Sequence, residues 1–350
     1  MPYPGRAEPE PDEEGIFAMK RWRFLSPALA LFFLSPVIGE LLCGSAPPAE
    51  FFQPIGFIML AVLYGGGAVL ARELTHRWDK GCPTLLVLGA AYGVAEEGLM
   101  CKSFFDPAWM DLGPLASYGR WVCVNWVWAA ELTTYHAVFS IAIPILLVDL
   151  MFPMQRQRMW VSPRKLCGLF FLWLVNGILI FLFISPYRPP GLHYLLTMMA
   201  VAGLCLLAWR LPHPMVACTE RSKKLAHPIW FLLVGFVGTL ALFFLVWVVP
   251  PTGIHPLLTM GLMVCLVIFV GWIVWRLSGN GTLSQKQKLA LSSGALGFFI
   301  LLAPLQEFDR NRTDNTKGMT FVGLAILIFL VWMARRLEHL IDPCFSRGAD

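Results

Sequence analysis

Residues 229–249 read IWFLLVGFVGTLALFFLVWVV, a run of 21 positions without one charged side chain. Coiled as a helix, about 20 apolar residues cover the roughly 30 Å hydrocarbon core of a bilayer. Nine further stretches have the same character. They are Phe24–Cys43, Phe51–Ala71, Pro83–Cys101, Trp121–Leu150, Leu166–Tyr187, Leu192–Trp209, Leu257–Trp275, Leu289–Leu305 and Met319–Ala334. The fourth is too long for one straight crossing, so either Pro144 kinks it or its first turns lie at the interface.

Composition agrees with these stretches. The chain of 350 residues is 57% hydrophobic and 14% charged, and its mean hydropathy is +0.65. A soluble domain carries about 25% charged residues. So few charges cannot cover a water-facing surface, and lipid must be the solvent. The net charge of +5 is modest and gives no reason to expect a nucleic-acid partner. The fold class expected is an all-α polytopic membrane bundle of about ten transmembrane helices.

The basic residues fix the orientation expected. With the N-terminus inside, 21 of the 27 Lys and Arg fall in cytoplasmic segments. The outer segments keep Lys102, Arg120, Arg188, Arg310, Arg312 and Lys317. Such enrichment is the positive-inside rule. It puts both termini in the cytoplasm, and the plasma membrane is the location expected. Glu40 and a long polar leader argue that the first span is retained rather than cleaved as a signal peptide. The nine cysteines are scattered and form no CxxC or Cys/His zinc spacing, which suits packing residues.

Four regions follow. Residues 1–23 form a cytoplasmic segment whose acidic, Pro-rich stretch suits disorder. Residues 24–151 are a four-helix membrane region, 163–337 a repeated helix-hairpin scaffold, and 338–350 a cytoplasmic tail. The repeat is visible at an offset of 62: PPGLHYLLTM at 189–198 matches PTGIHPLLTM at 251–260, and Trp-Arg-Leu closes each copy at 209–211 and 275–277. A weaker third copy spans about 289–337. Fixed-period similarity of this kind means stacked supersecondary units. His193 and His255 share one position of the repeated turn, which suits an interfacial cap.

The ionisable residues concentrate in the first half. Glu40 lies in span one, Glu96 and Glu97 in span three, and Glu131, His136 and Asp149 in span four. An ionised group at mid-membrane costs at least a few kcal/mol, so it faces a cavity or a partner. Glu97 shares a face with Gly89 and Gly93, and Glu96 with Tyr92. Asn125, Ala129, Leu132 and His136 fall on one stripe of span four. Glu40, Lys102, Asn125 and Glu131 are therefore expected to support a site built on Glu96, Glu97 and His136. Two adjacent glutamates in a low-dielectric site do not both ionise freely, so a carboxylate and a carboxylic acid coexist. That pair can activate a water and protonate a leaving group, with His136 as proton carrier or oxyanion partner.

The stretch AEEGLMCKSFF at 95–105, with a histidine in the following helix, resembles the CAAX-protease and bacteriocin-processing family of glutamic intramembrane proteases. The resemblance spans about residues 83–150. It implies that Glu96 and Glu97 activate water, that His136 is the second-motif histidine, and that the substrate is membrane-embedded and the hydrolysis metal-independent. Cys101 stands where the family carries Arg, with Lys102 one place later. Leu132 stands where it carries Phe, and no third motif follows. Other readings stay open: a proton- or cation-coupled transporter or channel, a metal enzyme, or a structural polar network. No HExxH, nucleotide-binding or redox motif is present, so no metal or cofactor is expected.

Overall fold

A computed structural model describes residues 26–213, 226–279, 283–310 and 312–341. The segment 1–23 and most of the tail 338–350 lie outside these. The described chain is a helical membrane bundle. Its helices are α1 (Pro27–Leu41), α2 (Pro54–Arg77), α3 (Cys82–Val94, continued by a π-turn Ala95–Met100), α4 (Trp126–Met151) and α5 (Pro163–Phe183). They continue as α6 (Gly191–Arg210), α7 (Pro228–Trp247), α8 (Pro256–Leu277), α9 (Gln285–Phe308) and α10 (Met319–Ile341). Eight are long and apolar enough to cross a bilayer. The other two are α1, which is shorter, and α3, whose glutamates lower its hydropathy.

Local chemistry sets the boundaries. Pro27, Pro54, Pro163, Pro228 and Pro256 each begin a helix, where a missing N–H is harmless. His255 caps α8 by accepting the Leu257 N–H at 3.3 Å, and His193 bonds the Val122 carbonyl oxygen at 2.8 Å. Both turn histidines are therefore tied to backbone.

The fourth span differs from the stretch 121–150 read in the sequence. Its first residues form a hairpin of β1 (Arg120–Trp121) and β2 (Val124–Asn125). Val122 and Cys123 turn it with φ of 50° and 59°, the left-handed pair that a two-residue hairpin turn requires. Helix α4 then starts at Trp126. Its Pro144 cannot donate to the Ser140 carbonyl, four residues back. That oxygen accepts the Ser35 hydroxyl of α1 at 2.7 Å instead.

Helix α4 is the axis of the bundle, with 72% of its apolar window buried against 11% for α6 and α8. It packs on α1, α3, α7, α8 and α9. The tightest pair is α7 with α9. A Cβ on Gly235 would strike the Leu291 carbonyl, and one on Gly294 the Leu232 carbonyl. Apolar side chains gain nothing by leaving lipid, so close backbone approach at small residues holds such helices together. Helices α7–α8 and α9–α10 pack as neighbouring pairs, whereas α5 and α6 pack chiefly on α2 and α3.

At the end of the bundle away from the 101–125 loop, Arg72 is wholly buried. It donates to Glu73 Oε1 at 2.8 Å and to the carbonyls of Arg158 and Arg156 at 2.8 and 2.7 Å. Its guanidinium lies 3.5 Å from the Trp160 ring centroid. Glu73 in turn accepts the Trp160 N–H at 2.8 Å. This latch folds the 152–162 connection back onto α2.

Two predictions follow from the packing. Gly294→Leu is expected to destabilise the protein by about 1–3 kcal/mol through overpacking. Arg72→Ala removes one of the two cations on Glu73, leaving Arg77, and removes the donors to two carbonyls, an expected loss of about 1–3 kcal/mol. Unfolding midpoints in detergent measure both, and wild-type midpoints would refute the packing and the latch respectively.

Candidate functional site

Four helices each break their regular winding in the same region. Their π-turns are Val37–Leu41 in α1, Ala61–Gly65 in α2, Ala95–Met100 in α3 and His136–Ala142 in α4. Each carries a polar group: Glu40, Tyr64, Glu96 with Glu97, and His136 with Ser140. A π-turn inserts one residue and weakens the local hydrogen bonds, and such turns recur at functional sites.

Glycines let α3 and α4 approach. A Cβ on Gly89 would lie 2.8 Å from the Ala137 Cα, and one on Gly93 would lie 2.9 Å from the His136 Cβ. The imidazole of His136 thereby sits against the glutamate pair. Its Nε2 is 3.0 Å from Glu97 Oε1. Its Nδ1 is 2.9 Å from Ser140 Oγ and 3.4 Å from Glu96 Oε2. Glu96 and His136 are 1% and 2% exposed, and Glu97 8%, so this chemistry is shielded from bulk solvent.

The second oxygen of Glu97 is also engaged. Its Oε2 accepts the Ser103 hydroxyl at 2.5 Å, and Ser103 Oγ accepts the Trp128 indole N–H at 3.1 Å. With Glu97 ionised, Nε2 donates to it and Nδ1 accepts from Ser140. With His136 protonated, the imidazolium stands between two carboxyl groups. The ring is placed to pass a proton between them.

Around this core stand Tyr64, whose hydroxyl donates to Glu40 Oε1, and Tyr92. Their ring centroids are each 5.9 Å from that of His136. Glu131 is buried beside Glu97 and His136. Not every polar atom is paired. Glu96 Oε2, Glu131 Oε2 and Tyr92 Oη are buried without a hydrogen-bond partner. One donor atom from each of Glu96, Glu97 and His136 lies within 4.8 Å of the others, close enough for a shared metal ion.

The structure thus brings Glu96, Glu97 and His136 into contact, with Glu40 and Glu131 beside them. Two other residues expected there are turned elsewhere. Lys102, with φ of 67°, donates from Nζ to the carbonyls of Phe181 and Ser185 at 2.7 and 2.6 Å. It serves the C-terminus of α5, where free carbonyls favour a cation. Asn125 caps α4 by accepting the Trp128 N–H at 3.1 Å and donates to the Leu115 carbonyl at 2.6 Å. Both fit the local backbone better than the cluster. Asp149 lies 4.0 Å from Arg72 at the opposite end.

Sequence reasoning missed Tyr64, Ser103 and Ser140. Ser140 was accessible, since it follows His136 by one helical turn. Tyr64 precedes three glycines, a signal of close packing, but nothing local pairs it with Glu40.

Ser103→Ala is expected to cost about 1–3 kcal/mol, because it leaves the Trp128 indole and one Glu97 oxygen buried and unpaired. Chemical unfolding in detergent checks this, and an unchanged midpoint would mean that water replaces the hydroxyl.

No curated protein and no solved structure matches the chain. The resemblance to CAAX proteases has no family match of its own. A family model described as an uncharacterized membrane protein family matches residues 29–276, from α1 into α8 and across the whole polar cluster. The chain therefore belongs to that uncharacterized membrane protein family.

Proposed function

We propose that the protein is a membrane-embedded hydrolase whose reacting groups are Glu96, Glu97 and His136. One observation carries this reading: a buried imidazole lies 3.0 Å from Glu97 Oε1 and 3.4 Å from Glu96 Oε2, linking two adjacent carboxyl groups, while the buried Glu131 Oε2 keeps no hydrogen-bond partner. A polar network that served only to fix helix register would pair its buried atoms, because each orphan costs about 1–3 kcal/mol. A carboxylate beside a proton-carrying ring is equipped to take a proton from water.

The chemistry divides among the three groups. The carboxylate accepts the proton of the attacking water, and His136 carries it across to the second carboxyl group. The leaving group then takes it from whichever acid it faces. Burial strengthens each of these interactions, because little solvent screens them. The local likeness to CAAX proteases points the same way. The substrate class is then a bond carried by a membrane-embedded protein or lipid.

The distribution of Lys and Arg supports an orientation with both termini in the cytoplasm, in the plasma membrane. In that orientation the site lies toward the outer half of the bilayer. A transporter would need a polar path onward from His136 to the inner face. Asp149, the acid available for it, instead lies at the opposite end of the bundle, 4.0 Å from Arg72.

The test compares membranes of cells expressing wild type, Glu97→Gln and His136→Gln by mass spectrometry of cleaved proteins and lipids. Products present only with wild type are expected, with losses of about 100- to 10,000-fold in each variant. Equal product in folded Glu97→Gln would sink the proposal.

A further inference from the structure

We infer that Glu96, Glu97 and His136 form a binding site for one divalent first-row metal ion, of the Zn²⁺ or Mn²⁺ type. The inference uses the side chains of the proposed hydrolase site: an ion held on His136 Nε2 would take over the activation of water from the carboxylate and the ring, and a cation can be held here whatever the protein acts on.

Metal–ligand bonds of about 2.0–2.2 Å put neighbouring donor atoms roughly 3 Å apart. His136 Nε2 and Glu97 Oε1 stand 3.0 Å apart, and a donor of Glu96 completes a set within 4.8 Å. The ligands come from two π-turns separated by 39 residues, which is why no contiguous metal motif appears in the sequence.

Other side chains hold these ligands in turn. A metal-binding imidazole donates its remaining ring N–H to an acceptor that fixes its tautomer. With Nε2 on the ion, Nδ1 is left for Ser140 Oγ at 2.9 Å. Glu97 likewise keeps one oxygen for the ion, while Ser103 holds the other and Trp128 holds Ser103. Both ligands are therefore oriented from behind.

Glu96 is 1% exposed, and its Oε2, 3.4 Å from the imidazole Nδ1, makes no hydrogen bond. Glu96 and Glu97 touch the imidazole, and Glu40 and Glu131 lie within electrostatic reach of it. Lys102, the basic residue next in sequence, is spent on the carbonyls of α5. Acids gathered in excess at bilayer depth need protons or a cation to neutralise them. Carboxylates with one imidazole and no thiolate suit Zn²⁺, Mn²⁺ or Fe²⁺ rather than a soft ion.

The experiment uses the full chain in detergent, stripped with chelator and dialysed against Zn²⁺ or Mn²⁺, with retained metal measured by mass spectrometry. About one equivalent is expected in wild type, with affinity about 10-fold weaker or more in Glu97→Gln and His136→Gln. Ser140→Ala, which removes only the outer partner, is expected to lose about 10-fold at unchanged helix content. Glu50→Gln, outside the cluster, is the control and keeps the full equivalent. Wild type retaining less than about 0.1 equivalent overturns the inference, as does equal retention by Glu97→Gln and His136→Gln. The wild-type measurement alone decides the first point, so a variant that fails to fold gives no shelter. This assay contains no substrate, so its failure counts against the ion site alone, whereas intact uptake combined with equal cleavage products in wild type and Glu97→Gln membranes counts against the hydrolase alone.

Discussion

An ionised carboxyl group cannot stand alone among acyl chains, and this constraint organises the first half of the protein. Glu40, Glu96, Glu97 and Glu131 come from α1, α3 and α4, and each lies near the one buried imidazole. Helix α4 must then be central, because it carries both His136 and Glu131. Helix α3 must approach it closely, and Gly89 and Gly93 make that approach possible. The remaining helices are free to be apolar and to pack through small residues, as α7 and α9 do. At the other end Arg72 obeys the same rule by different means, with its charge covered by Glu73, two carbonyls and the Trp160 ring.

The winding of the helices follows from the same demand. A straight α-helix repeats its faces at fixed intervals, so it cannot always turn a polar side chain inward without turning its neighbours outward. One inserted residue shifts that phase. All four helices of the first half make this shift, each beside the polar residue it contributes. In α4 the loosened winding runs into Pro144, and a hydroxyl from α1 takes up the carbonyl set free. The irregularity that aims His136 thus also ties α1 to α4.

Much of the fold was legible from composition alone, because membrane helices must be long and apolar whatever they pack against. All ten apolar stretches are helical. The exception at 121–125 was invisible for a physical reason: a hairpin at the headgroup level uses the same Trp and Val residues as a helix end. The meeting of Glu96, Glu97 and His136 could be anticipated from the cost of stranding them. Lys102 and Asn125 could not be placed, since a helix end offers a cation or an amide bonds as good as a carboxylate does. Tyr64 and Ser103 escaped notice because hydroxyls are cheap enough in lipid to pass as packing residues. Their partners depend on helix rotation, which sequence does not fix.

Helices α5 and α6 flank the glutamate-bearing turn of α3. Gly177 of α5 meets Met100, Thr197 of α6 meets Gly98, and the Tyr194 hydroxyl reaches the Leu99 carbonyl. The chain is made and inserted from its N-terminus, so both flanks reach the membrane after the residues that they cover. The acidic turn stays bare on two sides until about 210 residues have been translated. The first four helices alone are consequently a poor fragment to express, because truncation before α6 would leave their most polar element facing lipid.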